Sequence, residues 1–103
     1  MAKLNIDQSA VEAYVAYVSK LTDDYDLTGT YKYTYEAGYF YIRIVKEGNG
    51  QRVVHSFLAN KETDKFKLGD ILKAHNWKRP VKQNPRGNIL AGTLERVHWT
   101  GIR

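Results

Sequence analysis

Tyr31-Lys-Tyr-Thr-Tyr-Glu-Ala-Gly-Tyr-Phe-Tyr-Ile-Arg-Ile-Val-Lys46 is the stretch that decides the fold. Tyr31, Tyr33 and Tyr35 alternate with Lys32 and Thr34, the two-residue period of a strand, which sets three rings on one face. Glu36-Ala37-Gly38 reads as a turn, and Tyr39 to Lys46, rich in aromatic and β-branched residues, as a second strand. Gly48-Asn49-Gly50 supplies the positive-φ positions of a hairpin loop, after which Val53 to Ala59 returns as a third strand. Short connections between three strands predict an antiparallel meander with one face covered and the other meeting solvent or a partner. In the second strand Phe40, Ile42 and Ile44 take one side; Tyr39, Tyr41, Arg43 and Val45 take the other, an aromatic and basic face.

Upstream, Ser9-Ala-Val-Glu12 has the spacing of a capping box, and Val11, Tyr14, Val15, Val18 and Leu21 recur at three- and four-residue steps. An amphipathic helix is expected over 9–22, ending at Thr22-Asp-Asp24, where carboxylates meet the negative end of the helix dipole. Downstream, Leu68, Ile71, Leu72 and Trp77 predict a short second helix near 68–76. Pro80 and Pro85, with Arg86-Gly87-Asn88, mark an extended loop, and Val97, Trp99 and Ile102 alternate with His98 and Thr100 as a closing strand. The expected fold is α+β, a single domain over residues 1–103: a helix packed on a three-stranded antiparallel meander, a short second helix, a basic proline-containing loop and a C-terminal fourth strand.

A chain of 103 residues is about one domain long, and 43% hydrophobic content suffices for a real core. The absence of cysteine removes disulfides, thiolate nucleophiles and cysteine zinc sites, and points to the cytoplasm. No apolar run approaches the roughly 18–20 residues of a membrane span, and Met1 to Asp7 lacks the apolar stretch of a secretory signal.

The formal charge is +5, and it is unevenly placed. Residues 1–60 carry 6 Lys and Arg against 7 acids, whereas residues 61–103 carry 10 against 4. Lys73, Lys78, Arg79, Lys82 and Arg86 fall within fourteen residues that contain no acid, with His75 and Trp77 interleaved. Clustered cations favour polyanions by releasing counterions from phosphates, and prolines hold such a loop extended at low entropic cost. Arg86 and Asn88 add donors that suit phosphate or base edges. A basic surface loop also arises with no partner at all, and a tryptophan following a helix more often packs than binds. Tyr31, Tyr33, Tyr35 and Tyr41 read either as a stacking platform for unpaired bases or as cross-strand pairs covering the sheet.

No catalytic constellation assembles. His55, His75 and His98 have no metal-pair spacing, no Glu-x-x-His occurs, and neither metal nor cofactor is expected. Ser56 follows His55 directly, so strand alternation points the two side chains to opposite faces. A small nuclease working through His and Lys is the residual enzymatic reading.

Lys67-Leu-Gly-Asp-Ile-Leu-Lys-Ala-His-Asn-Trp-Lys-Arg-Pro80, Arg86-Gly-Asn-Ile89 and Val97-His-Trp-Thr-Gly101 resemble small basic proteins encoded by tailed bacteriophages. The resemblance covers the chain from Tyr39 onward; it implies a phage setting and brings no activity with it. The order helix, three strands, helix is also that of double-stranded-RNA-binding domains, but the Lys-Lys-x-Ala-Lys cluster opening their second helix is absent from Phe66–Ile71. The leading expectation is a non-enzymatic module that binds DNA or RNA through Lys73, Trp77, Lys78, Arg79, Lys82, Arg86 and Asn88. The alternative is a phage accessory protein that binds and modulates an acidic host protein in the host cytoplasm.

Overall fold

The structure is a computed structural model that describes residues 3–25, 31–48, 50–82, 84–98 and 101–102. Asn49 of the expected hairpin loop, and Trp99 and Thr100 of the expected closing strand, lie outside the described residues. The elements are α1 (Gln8–Tyr25), β1 (Lys32–Ala37), β2 (Tyr41–Gly48), β3 (Gln51–Ala59), β4 (Ile71–Leu72), β5 (Val97–His98) and β6 (Gly101–Ile102). The first four strands form one sheet in the order β1-β2-β3-β4, with every pairing antiparallel. Among the described residues strands β5 and β6 pair with each other alone, so the sheet's fourth strand is β4, in place of the C-terminal segment expected there.

α1 starts one residue before the predicted position because Asp7, not Ser9, caps it. The Asp7 carboxylate accepts the Ser9 N–H at 3.1 Å, and the Ser9 hydroxyl also donates to it at 2.9 Å. A charged acceptor beside the positive end of the helix dipole outcompetes the capping-box serine. At the other end the helix runs through Asp23-Asp24 to Tyr25. Thr22 is buried; its hydroxyl donates to the Val18 carbonyl at 3.1 Å and accepts the Tyr33 phenol at 2.6 Å. That anchor to β1 outweighs the unfavourable dipole of two exposed carboxylates.

The first hairpin turns later than expected. β1 continues through Glu36 and Ala37, the Gly38 N–H donates to the Tyr41 carbonyl at 2.8 Å, and Tyr39 and Phe40 form the tip. A Cβ on Gly38 would lie 2.9 Å from the Tyr41 oxygen, so this close return requires glycine. Between β2 and β3, Ile44 opposes Ser56 while Val45 opposes Val54, leaving His55 as the extra residue of a bulge.

The sheet buries apolar residues on both faces. Val11, Tyr14 and Val18 of α1 pack with Ile42, Ile44, Leu58, Ile71, Val97 and Ile102 on one face. On the other, Phe57, Ala59, Phe66 and Leu72 form a smaller cluster. Fully burying each large aliphatic or aromatic side chain contributes about 1.5–3 kcal/mol, so the two clusters carry most of the apolar stabilisation.

No helix forms at 68–76. Gly69 has φ of 86°, and Asp70 caps a tight turn, its carboxylate accepting the Lys67 N–H at 2.8 Å. Ile71 and Leu72 then pair with Leu58 and Phe57, Ile71 entering the helix-side core and Leu72 the opposite cluster. Adjacent apolar residues buried on opposite faces require the two-residue period of a strand, which the helical spacing of Leu68, Ile71 and Leu72 hid.

Candidate functional site

The basic loop is built as an extension of the sheet. The Val81 N–H donates to the Lys73 carbonyl at 2.8 Å, Ala74 bridges Pro80, and residues 75–79 close the end. There the Asn76 carboxamide oxygen accepts the N–H groups of Lys78 at 2.9 Å and Arg79 at 3.0 Å. Such a side-chain turn fixes the backbone under two cations without consuming their charges. Lys73, Lys78, Arg79 and Lys82 are all exposed.

Trp77 folds from this loop onto the face of the sheet opposite α1. It is 37% exposed, its carbonyl accepts the Arg43 Nε–H at 2.8 Å, and the guanidinium groups of Arg43 and Arg52 lie 4.7 and 5.4 Å from its ring. Glu36 receives the same two arginines at 3.0 and 3.4 Å, and Arg52 reaches Glu47 as well. Hydrogen bonding from Arg43 is the main cause that lowers the Glu36 carboxyl below its usual range. Cation–π contact and ion pairing thus gather two arginines at the indole.

Beside Trp77, a groove of about 350 Å³ is lined by Tyr39, Phe40, Tyr41, Arg43, Phe57 and Lys78, with Glu36 at its edge. Tyr39 and Phe40 are 61% and 49% exposed and meet edge to face with centroids 4.8 Å apart. The Lys61 ammonium lies 4.3 Å from the Tyr39 ring. Behind the loop, His75, Arg79 and Lys82 line a second open groove of about 440 Å³ with Pro80 and Val81. The loop therefore delivers Lys78 to an aromatic groove and Arg79 with Lys82 to a polar one.

The tyrosines do not assemble into one platform. Tyr33 and Tyr35 pack against the helix-side core, and the Lys46 ammonium lies 4.2 Å from the Tyr31 ring. Tyr41 lies on the opposite face, edge-on to Phe57 and Phe66. Asn88 is engaged within the chain. Its amide donates to the Leu68 carbonyl and Asp70 carboxylate at 3.1 and 2.9 Å, and its oxygen accepts the N–H groups of Leu90 and Ala91. The Arg86 guanidinium turns back to the Asn84 carbonyl, and its backbone N–H donates to Ile71 at 2.7 Å.

One buried polar network stands on the α1 side. The bulge at His55 breaks the alternation that predicts opposite faces for His55 and Ser56, and brings them into contact. The His55 Nε2–H donates to the His98 carbonyl, an acceptor only, so Nδ1 accepts the Ser56 hydroxyl at 2.9 Å and Ser56 accepts the Tyr14 phenol at 2.8 Å. Burial pushes His55 down to about 4 and raises the Tyr14 phenol. Ser56 is wholly buried and His55 nearly so, so this serine–histidine pair has no face open to a substrate. Among the described residues no cluster of His, Cys, Asp or Glu is arranged to hold a metal ion, and no helix is long and apolar enough to cross a membrane.

A family match spans residues 2–102. The chain belongs to DUF7717, a family of unknown function. No curated protein and no solved structure matches it. Membership in DUF7717 carries no activity and no link to bacteriophage proteins, so its candidate site rests on geometry.

That geometry adds residues to the site of this DUF7717 chain which the sequence pattern does not single out. Arg52 and Lys61 are distant from the basic loop in sequence, and Tyr39 and Phe40 read as strand residues until the hairpin tip is placed. The aromatic and basic face of β2, half-buried at Tyr41 and Arg43, was readable from alternation; the pairing of Arg43 with Trp77, 34 positions away, was not.

Proposed function

We propose that the chain is a small non-catalytic nucleic-acid-binding module whose contact surface is the sheet face opposite α1 together with the 73–82 loop. The observation that carries this reading is the groove in which exposed Tyr39 and Phe40 stand beside Lys78 and the Arg43–Trp77 stack. Exposed rings offer stacking surface to unpaired bases, and flanking cations follow the phosphates. Single-stranded DNA or RNA suits this combination better than a duplex, whose bases are already stacked. Lys78, Arg79, Lys82 and Lys73 supply phosphate contact, Lys61 extends it past the hairpin tip, and Arg43 and Arg52 set the indole. Asn88 and Arg86 hold the neighbouring turns. A cytoplasmic setting fits this reading, and the resemblance of residues 67–80 to phage-encoded proteins points to an infected host cell.

Fluorescence anisotropy with labelled single- and double-stranded DNA and RNA tests the reading. Binding is expected for single strands, with an affinity that falls steeply with salt; charge reversal at Lys78, Arg79 and Lys82 together should weaken it and flatten the slope. Absence of binding to all four probes at about 50 mM salt, where phosphate contacts are strong, overturns it.

A further inference from the structure

We propose that the groove behind the 73–82 loop is a pocket for a terminal phosphate monoester, so that the chain prefers single strands whose end carries a phosphate. Its occupant follows from the single-strand reading, on which this proposal rests. His75, Arg79 and Lys82 line the groove together with Pro80 and Val81, and its volume is about 440 Å³. All three polar side chains are exposed, and among the described residues none of them takes part in an ion pair or a side-chain hydrogen bond. No acid lines the groove to neutralise them.

The backbone that carries these donors is fixed from both sides of the hairpin. Ala74 bridges Pro80, and the Val81 N–H donates to the Lys73 carbonyl at 2.8 Å. Nearer the tip, the Arg79 carbonyl accepts the N–H groups of His75 and Asn76 at 3.1 Å each, so His75 and Arg79 stand across from one another. Pro80 is buried next to Arg79, and its ring pins φ at that point. A phosphate entering the groove therefore meets donors on a frame already folded, and little backbone ordering opposes its binding.

Charge and shape select a monoester over a diester. An internal phosphodiester carries a single negative charge and two free oxygens, whereas a terminal monoester carries about −1.5 to −2 near pH 7 and three free oxygens. A guanidinium fork, an ammonium and an imidazole N–H together match the third oxygen and the added charge. No Phe, Tyr or Trp lines this groove, so it offers bases little to stack on; the rings belong to the groove that holds Lys78. Lys78 and Arg79 are consecutive and line different grooves, so the two adjoin at the loop tip. A strand with bases on Tyr39 and Phe40 thus brings its end to Arg79 and Lys82.

Fluorescence anisotropy of the full chain with oligothymidylate and oligouridylate of about ten nucleotides tests the proposal. Each strand is labelled at one end and carries a hydroxyl or a phosphate at the other, with 5′ and 3′ phosphates tried separately. A phosphate at one of the two ends should tighten binding roughly tenfold or more through new charge-assisted hydrogen bonds, and the end that does so gives the polarity of the strand. A hydroxyl-ended strand one nucleotide longer adds charge without the monoester and should gain far less. Arg79→Gln and Lys82→Gln should each remove most of the preference, whereas Lys73→Gln, on the same loop but outside the groove, should weaken both forms alike. Circular dichroism confirms that each variant is folded. Equal binding of phosphate- and hydroxyl-ended strands overturns the proposal and leaves the single-strand reading standing. So does an equal gain from the longer strand, or a preference that survives both substitutions in the groove. Binding of neither form overturns both.

Discussion

His55 sits in the bulge of β3, where a neutral ring joins Ser56 to the His98 carbonyl. Folded, it gains a proton only near pH 4, whereas in the unfolded chain it does so near its ordinary 6.5. The unfolded state therefore binds more protons as pH falls from about 6.5 to about 4, and across that window His55 removes on the order of 3 kcal/mol of stability. Urea unfolding at pH 7 and pH 4.5 should show that loss in the wild-type chain and a smaller loss in His55→Gln. Ser56→Ala leaves the Tyr14 phenol and the His55 nitrogen buried without their partner and should cost about 2–4 kcal/mol at neutral pH, read from the same unfolding curves. Gly87 is constrained by its backbone: φ is 150°, and a Cβ would collide with the Thr93 carbonyl oxygen. Gly87→Ala should lower stability by about 1–3 kcal/mol, measured by thermal melting. None of these three roles is visible in composition or spacing, since each depends on what the backbone brings opposite.

At the scale of elements, Asn60 shows how connections are fixed. It is wholly buried just after β3, its amide donating to the carbonyls of Lys3 and Gly38 at 2.9 Å each and its oxygen accepting the Asn5 N–H at 2.9 Å. One side chain thus ties the segment before α1 to the first hairpin. Asn60→Ala should cost roughly 2–4 kcal/mol, and amide exchange should rise first at Asn5 and around the hairpin tip. The strands of the meander were legible because alternation and β-branched residues agree over many positions. The second helix was misread because Leu68, Ile71 and Leu72 satisfy a helical period and a pair of opposite-facing strand positions equally well; the turn at Gly69 and the pairing to β3 decide between them.

For the whole molecule, charge and shape act together. The 73–82 loop carries four of the cations of residues 61–103 and brings Trp77 against Arg43 and Arg52 from the more acidic half of the chain, while Lys61 stands over Tyr39 at the hairpin tip. On the proposed function, each of Lys78, Arg79 and Lys82 that contacts the phosphate of a single strand contributes about 0.7 to the slope of log affinity against log salt. Replacing each singly with Gln should lower that slope by about this amount; Tyr39→Ala should weaken binding and leave the slope unchanged, because stacking releases no counterion. The sequence by itself determined the α+β class, the helix, the three-strand meander and the segment in which positive charge is concentrated, all of which follow from short-range periodicity or from counting. Only the tertiary structure decided that Trp77 meets Arg43 and Arg52, that Tyr33 and Tyr35 face the helix while Tyr41 does not, that His55 and Ser56 share a side, and that Ile71 and Leu72 complete the sheet. The physical reason is that these facts are set by contacts between residues far apart in sequence, where a single bulge or a two-residue strand outweighs local preference.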